Sequence, residues 1–322
     1  MFDAEELAEA ARLVHARMPP TPQHAWPLLA ERCGTEVWVK HENHTPTGAF
    51  KIRGGITFID WLRRNHPDVP GVITATRGNH GQSIARAARA AGLRAVVLVP
   101  RGNSVEKNAA MRAFGAELIE HGEDFDTARE EAARRAAAEG LFFVPPFHRE
   151  LVRGVATYGW ELFRAVPDLD TVYVPIGGGS GICGVIAARD ALRARAEVVG
   201  VVSDAAPTAQ LSVAAGRPVA TDSARTFADG MAVRVPVAEA LEIYGRGAAR
   251  IVAVSDAEVA AAIRAYYSDT HNLAEGAGAA PLAALLQEGA HMQGRKVAVI
   301  LCGGNIDAGW FLTVMQGGVP AV

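Results

Sequence analysis

The feature that most constrains the fold is an alternation of short apolar runs with alanine-rich segments of helical periodicity. The apolar runs occupy residues 37–39, 72–76, 95–99, 117–119, 141–144, 172–174, 198–202 and 297–301. Helical spacing is found between them, for example at residues 82–91, 128–138 and 182–194. Because parallel strands must be joined by crossover connections, which are usually helices, this order predicts an α/β protein built on parallel sheets.

The length of the chain predicts two lobes. At 322 residues it exceeds the size at which a single hydrophobic core usually stops growing. The runs between residues 72 and 144 predict one small sheet, and those from residue 172 onward predict a larger one. We expect each lobe to contain a mainly parallel sheet flanked by helices. Residues 47–150 would form the small domain, and residues 1–46 together with 151–322 the large one.

Composition and charge limit the kinds of partner. The net charge is −3, without the basic surplus that binding to nucleic acid or an anionic membrane would require. No apolar run approaches the roughly 20 residues needed to span a bilayer, and the acidic N-terminus does not resemble a signal peptide. The three cysteines form no CxxC pair, which favours a reducing compartment. We therefore predict a soluble, cytoplasmic protein that acts on small molecules.

One glycine-rich segment follows the apolar run at residues 172–174 and precedes a helix predicted to begin at Ile182. Its members are Gly177, Gly178, Gly179, Ser180 and Gly181. Glycines let backbone N–H groups turn toward an anion, and a helix N-terminus adds favourable partial charge, so the segment predicts a phosphate site. Residues 179–184 also satisfy the dinucleotide-binding pattern GxGxxG, and Asp204 follows near the offset of a ribose-binding acid. The segment alone therefore leaves a nicotinamide cofactor open.

Two further segments follow apolar runs. Arg77, with a forked set of donors suited to carboxylate, and Asn79, with both a donor and an acceptor, come after residues 72–76. Cys302 and two glycines come after residues 297–301. A buried cysteine is by default a small hydrophobe, and no neighbour here favours a thiolate. Because ligands of open α/β sheets bind beyond the carboxyl ends of strands, we expect these segments to belong to one site.

Lys51 lies among residues that are unusual around a surface lysine. Phe50 precedes it, and Gly48, Gly54 and Gly55 lie close to it in the sequence. A lysine packed beside an aromatic ring and glycines loses solvation, which shifts it toward its neutral, nucleophilic form. On these residues alone, an ordinary solvated lysine remains the alternative.

Four segments of the chain resemble, in order and spacing, those of the fold-type-II pyridoxal-phosphate (PLP) enzymes. They are the lysine segment, the Asn79 segment, the glycine-rich segment and the Cys302 turn. The likeness is strongest to the threonine/serine dehydratase-like family, including 3-hydroxyaspartate and phenylserine dehydratases, and it covers essentially the whole chain. It implies two lobes with PLP in the cleft between them, and a homodimer. The implied activity is that of a dehydratase, or ammonia-lyase, which converts a β-hydroxy amino acid to a 2-keto acid and ammonia.

The resemblance also implies a role for each segment. Lys51 would hold PLP covalently and later act as the base at Cα, Phe50 would lie against the ring, and Asn79 would hydrogen-bond the 3′-oxygen. Cys302 would face the pyridine nitrogen. The phosphate would be cradled by Gly177, Gly178, Gly179, Ser180 and Gly181. The substrate would be bound by Thr76, Arg77, Gly78 and His80.

Two positions depart from the commonest family pattern. Cys302 replaces a serine, and a protonated thiol is an equally neutral partner, which favours loss of a β-leaving group over long-lived carbanion chemistry. Arg77 stands where the family often has a serine that acts as a base in racemases. Arginine stays protonated, which argues against racemisation. It could bind the α-carboxylate, or a second carboxylate as in 3-hydroxyaspartate.

No metal site and no regulatory domain are expected. Some relatives bind a metal through an acidic segment, of which this sequence keeps only Asp204. The sequence ends at Val322, which leaves no room for the regulatory domain of the biosynthetic relatives. His44 and His80 lie in the motif segments, where a structural role is at least as plausible as contact with substrate.

Several functional alternatives stay open. The substrate could be threonine, serine, 3-hydroxyaspartate or a β-aryl serine. Within the same fold, the reaction could be β-replacement or racemisation. Outside it, the candidates are a nicotinamide-dependent oxidoreductase and a non-catalytic PLP-binding protein. The nicotinamide hypothesis leaves Lys51 and the other two segments unexplained, so we favour the PLP-dependent dehydratase.

Overall fold

The computed structural model describes residues 1–322. Its strands are β1 (Gln23–Ala25), β2 (Glu36–His41), β3 (Gly71–Ala75), β4 (Arg94–Val99), β5 (Glu117–Glu120), β6 (Phe142–Phe143), β7 (Thr171–Pro175), β8 (Glu197–Ser203), β9 (Arg250–Val254) and β10 (Lys296–Leu301). Its helices are α1 (Ala4–His15), α2 (Pro27–Cys33), α3 (Lys51–Asn65), α4 (Asn79–Ala90), α5 (Val105–Ala113), α6 (Phe125–Glu139), α7 (Arg149–Ala165), α8 (Ser180–Ala191), α9 (Thr208–Ala215), α10 (Ala238–Gly247), α11 (Asp256–Thr270), α12 (Gly276–Gln287), α13 (Gly289–Met292) and α14 (Ala308–Met315). Single turns of 3₁₀-helix span Glu42–His44 and Asp229–Met231.

The strands form two separate sheets. The larger has the order β1-β2-β10-β7-β8-β9, and the smaller has the order β5-β4-β3-β6. Every neighbouring pair is parallel except β1 and β2. The predicted α/β fold with two mainly parallel sheets is therefore confirmed, and the four runs predicted to share the small sheet do so. The domain division near residues 47 and 150 stays a prediction.

Three local features differ from the sequence prediction. β1 carries no apolar alternation and forms because β2 offers it an antiparallel partner. β9 is an edge strand whose apolar residues 251–254 do carry a strand pattern, although we did not predict it. The helix expected to begin at Ile182 begins at Ser180, because Gly179 in the left-handed region (φ 90°) already ends the loop.

Apolar burial follows the two sheets. One cluster of 62 buried residues surrounds the larger sheet, whereas clusters of 12 and 8 buried residues belong to the smaller one. Helix α7 packs against both α8 and α3 and so lies between the two sheets. None of the helices combines the length and the apolar character that crossing a bilayer demands.

A buried cluster of charges lies where α3 meets the larger sheet. Arg53, in the first turn of α3, is fully buried. Its guanidinium donates to Glu42 Oε2 at 2.7 Å and to Glu161 Oε1 at 2.6 Å. Lys40 donates to Glu161 Oε2 at 2.6 Å, so the cluster contains two cations and two anions. Ion pairing holds the pKa of Glu161 far below its usual range, although its burial acts in the opposite direction. This cluster fixes the start of the helix that carries Lys51.

Replacing Arg53 should strongly destabilise the protein. We expect Arg53→Ala to lower the free energy of unfolding by about 3–5 kcal/mol, because Glu42 and Glu161 would lose a buried counter-charge. The matched control is Arg64→Ala on the same helix, whose exposed pair with Asp60 should contribute less than about 1 kcal/mol. Urea unfolding of both variants measures the difference. Equal midpoints for the two variants would contradict the proposed importance of the cluster.

Candidate active site

Every residue predicted to bind cofactor or substrate lines one cavity between the two sheets. The cavity lies beyond the carboxyl ends of strands such as β3, β7 and β10, where parallel sheets usually bind ligands. Seven lining residues were not predicted, and these are Lys107, Pro175, Asp229, Gly230, Met231, Glu275 and Ala277. The structure therefore brings the predicted residues together in one cavity with a wider wall, and the roles assigned to them stay predictions.

The molecule also has a larger groove, which contains none of the predicted site residues. It encloses about 880 Å³ along α1, α3 and α4, against about 150 Å³ for the cavity, and its lining is mostly apolar. The smaller cavity contains Lys51, His80 and Glu275, whose pKa values are all displaced. Convergent ionisable groups with displaced pKa values mark functional sites more specifically than volume does. The smaller cavity is therefore the candidate active site.

The loop before Lys51 is fixed to the turn after β10 by backbone pairing. Ala49 and Gly303 form an isolated antiparallel bridge, and Phe50 N donates to Cys302 O at 2.9 Å. Gly48 has φ 68°, and a Cβ atom there would collide with the side chain of Asn305. A side chain at this position would therefore be disfavoured by both backbone strain and a close contact. The pairing brings the lysine and cysteine segments together, as predicted.

The Lys51 amine is held inside the cavity. Its Nζ donates to Ser180 Oγ at 2.9 Å and lies 4.9 Å from the centre of the Phe50 ring. Burial lowers the pKa of Lys51 to about 8, although the nearby Cys302 and Glu275 act to raise it. At neutral pH a much larger fraction of this amine is uncharged than for a lysine in water. The expected shift of Lys51 toward a neutral nucleophile is therefore present.

The glycine-rich segment forms a cup between β7 and α8. At Gly177 a Cβ atom would collide with the carbonyl oxygen of Gly230, so only glycine allows this close approach. Open space lies where a Cβ atom of Gly178 would be. Helix α8 begins at Ser180 without a side-chain cap, and its first backbone N–H groups therefore have no capping partner. Such a cup fits a phosphate group.

Asn79 is anchored by two neighbours that sequence reasoning missed. Its Nδ2 donates to Glu275 Oε1 at 2.8 Å, and its Oδ1 accepts from Asn305 Nδ2 at 2.8 Å. One amide hydrogen of Asn79 remains for a ligand. Burial raises the pKa of Glu275 to about 7, and its Oε2 has no hydrogen-bond partner. An acid within an otherwise apolar, glycine-rich run was the signal that could have identified Glu275.

The Cys302 thiol is neutral. It is 4% exposed, and burial raises its pKa well above the ordinary value, with the negative charge of Glu275 acting in the same direction. A protonated thiol at the end of β10 cannot act as a nucleophile near neutral pH. A neutral thiol is compatible with the expected position next to a pyridine nitrogen, and that position stays a prediction.

The loop before α4 provides the other predicted residues. Thr76 Oγ1 accepts from the backbone N–H of Gly78 at 3.0 Å, which shapes the turn. Arg77 is exposed at the mouth of the cavity. Burial lowers the pKa of His80 to about 3, and its Nε2 has no partner. His44 lies outside the cavity lining, bonded through Nε2 to Asn272 Oδ1 at 2.8 Å.

No group of three His, Cys, Asp or Glu side chains is placed to hold a metal ion. Asp204 begins the turn after β8, where its backbone N–H donates to Val254 O at 2.9 Å.

Comparisons with known proteins agree with this geometry. A family model described as "Pyridoxal-phosphate dependent enzyme" matches residues 16–303. An L-threonine ammonia-lyase of Thermotoga maritima is 34% identical over 320 residues, which is 99% of this chain and 79% of that protein. Threonine deaminase isoform 2 of Solanum lycopersicum has a TM-score of 0.89 at 27% identity, covering 98% of this chain and 94% of its own. Maize serine racemase has a TM-score of 0.90 at 26% identity, covering 98% and 97%.

The lowered pKa of Lys51 predicts how the apoprotein reacts with PLP. Only the neutral amine adds to the aldehyde, so the rate at which the visible band of lysine-linked cofactor appears should rise with pH to a midpoint near 8. A solvated lysine would give a midpoint of about 10.4. Stopped-flow absorbance across pH 6–11, at roughly unit steps, measures the midpoint, with Lys51→Ala as the blank. A midpoint at the solvated value would contradict the burial effect.

Proposed function

Because this chain belongs to the pyridoxal-phosphate-dependent enzymes, we propose that it removes water and ammonia from serine or threonine to leave a 2-keto acid. The cofactor is PLP, and the enzyme class is a PLP-dependent ammonia-lyase of hydroxy amino acids. We also propose that the protein is cytoplasmic and forms a homodimer. The three cysteines are free and buried, in keeping with a reducing compartment.

The observation that supports the proposal best is the hydrogen bond from Lys51 Nζ to Ser180 Oγ. It places the reactive amine beside the glycine cup, so a single molecule with both a phosphate and an aldehyde can reach both groups. When bound, PLP supplies an electron sink for loss of the Cα proton. Phe50 would lie against its ring, and the remaining amide hydrogen of Asn79 would bind its 3′-oxygen. Gly177 to Gly181 would hold the phosphate.

Lys51 is the proposed base at Cα. It is the only lining group with a pKa near neutrality that also lies at the cup, and general bases work best when their pKa is near the working pH. Cys302, as a neutral thiol, would leave the pyridine nitrogen unprotonated. The weaker electron sink would favour prompt loss of the β-hydroxyl over transamination.

Arg77 is the proposed site of the substrate's α-carboxylate. It lies at the mouth of the cavity, next to the backbone N–H groups of Gly78 and His80 at the start of α4. Lys107, the other cation of the wall, is already paired with Asp229. One available cation suits a substrate with one carboxylate. This supports serine or threonine over 3-hydroxyaspartate.

Racemisation needs a second base on the face of the substrate opposite Lys51. Arg77 stays protonated at physiological pH and does not provide one. Incubation with L-serine should therefore give pyruvate without D-serine, which chiral chromatography measures. Accumulation of D-serine at a rate comparable with pyruvate would contradict the proposal and would favour the activity named for the maize relative.

A keto-acid assay tests the main proposal. Wild-type protein with PLP should form 2-keto acid and ammonia from serine or threonine without any added nucleophile, and Lys51→Ala should lose essentially all turnover. The absence of added nucleophile separates elimination from β-replacement. If no β-hydroxy amino acid gives a keto acid while the visible cofactor band is present, the dehydratase function is wrong.

Replacing Arg77 tests the substrate contact. A charge-assisted hydrogen bond contributes about 1.5–3 kcal/mol, so Arg77→Ala should raise KM for serine and threonine by roughly 10- to 100-fold. The matched control is Arg101→Ala, an exposed arginine outside the cavity that pairs with Glu123. Steady-state kinetics should also include 3-hydroxyaspartate. A selective loss of 3-hydroxyaspartate turnover would instead assign Arg77 to a side-chain carboxylate.

A further inference from the structure

The proposed reaction needs an acid at the departing hydroxyl, and the phosphate of the bound cofactor is one candidate besides the side chains of the wall. A β-hydroxyl group leaves a carbon only with difficulty unless it is protonated as it departs. Arg77 does not release a proton at physiological pH. His80 is a neutral imidazole, since burial lowers its pKa to about 3. Burial raises the pKa of Glu275 to about 7, so it too can hold a proton, but its Oε1 accepts from Asn79 Nδ2 and lies next to Gly303.

Lys107 is a proton donor in the wall that packs against the loop assigned to the substrate. It lies on α5, which Ser104 caps, and its side chain is only 6% exposed although it lines the cavity. The methylene stem packs against the loop before α4, where a Cβ atom at Gly78 would lie 2.8 Å from Lys107 Cδ. The ammonium group therefore lies beside the loop that we assign to the substrate.

Asp229 holds this ammonium from the opposite lobe. It belongs to the 3₁₀ turn Asp229–Met231, which follows the larger sheet's β8 in the chain, whereas α5 packs with the smaller sheet. The charges of Asp229 and Glu275 raise the pKa of Lys107 despite its burial, so the group is a cation at neutral pH. Asp229 is 21% exposed, which gives the pair access to water at the mouth of the cavity.

We propose that Lys107, oriented by Asp229, is the acid that protonates the departing β-hydroxyl. This rests on the proposed dehydratase function. The Lys51 amine takes the proton from Cα, and the electron pair of that bond forms the double bond between Cα and Cβ. The bond from Cβ to oxygen breaks with its electron pair on oxygen, which takes a proton from Lys107 Nζ and leaves as water. The neutral Lys107 amine regains a proton from solvent.

A change of leaving group isolates this step. Chloride departs without a proton, so β-chloroalanine does not need the acid, whereas serine does. We expect Lys107→Met to lower kcat for serine by about 100-fold or more and kcat for β-chloroalanine by no more than about threefold. Lys107→Arg, which keeps the charge facing Asp229 but does not release a proton, should show the same selective loss. Lys296→Met, at a lysine outside the cavity, is the matched control.

A binding measurement separates this role from a structural one. L-Alanine has no leaving group, and its Kd, measured from the shift of the visible cofactor band, should change by no more than about threefold in both Lys107 variants (about 0.65 kcal/mol). Equal losses with serine and β-chloroalanine, or full serine turnover in Lys107→Arg, would overturn the assignment. If wild-type protein forms no keto acid from any hydroxy amino acid, the dehydratase function itself fails.

Discussion

The arrangement of the whole site depends on the buried charge cluster around Arg53. Four charges out of water are tolerated only when each finds its partner in good geometry. Arg53, Glu42 and Glu161 meet this condition at distances of 2.6–2.7 Å, and the elements that carry them cannot shift without separating the charges. Lys51 lies half a turn before Arg53 on α3. The cluster therefore fixes the position of the backbone from which the Lys51 side chain extends into the cavity. The buried ion pairs of Arg53 therefore hold the first turn of α3, and with it Lys51, in position.

Within the cavity, burial rather than nearby charge decides most protonation states. It lowers the pKa of Lys51 and His80 and raises that of Cys302 and Glu275, so each of these groups moves toward its neutral form. Lys107 is the exception, because Asp229 keeps it charged. A cavity with neutral groups around the amine and a persistent cation in its wall suits a reaction that needs a base and an acid together.

Much of the fold was predictable because its signals are local. Short apolar runs separated by helical segments predict parallel strands joined by crossover helices. The small sheet contains the four runs that were predicted to form it. An anion site after β7 was predictable for a related reason, since glycines after a strand allow backbone N–H groups to face an anion. β1 escaped prediction because its three residues gain their strand structure only from β2. Lys107 and Asp229 were not predicted to line the cavity either, because in the sequence each resembles an ordinary charged surface residue.

The sequence by itself determined the fold class, which depends on residue types at short spacings, and its resemblance to a known family led to the roles proposed for Lys51 and the glycine-rich segment. The tertiary structure alone decided how far the pKa of Lys51 moves, which partner anchors Asn79, and that Lys107 faces Asp229 across the cleft. These features depend on burial and on contacts between residues more than a hundred positions apart. Desolvation and Coulomb energies follow from distance and surroundings in space. For that reason the sequence could single out Lys51 as a candidate, whereas the shift of its pKa required the folded protein.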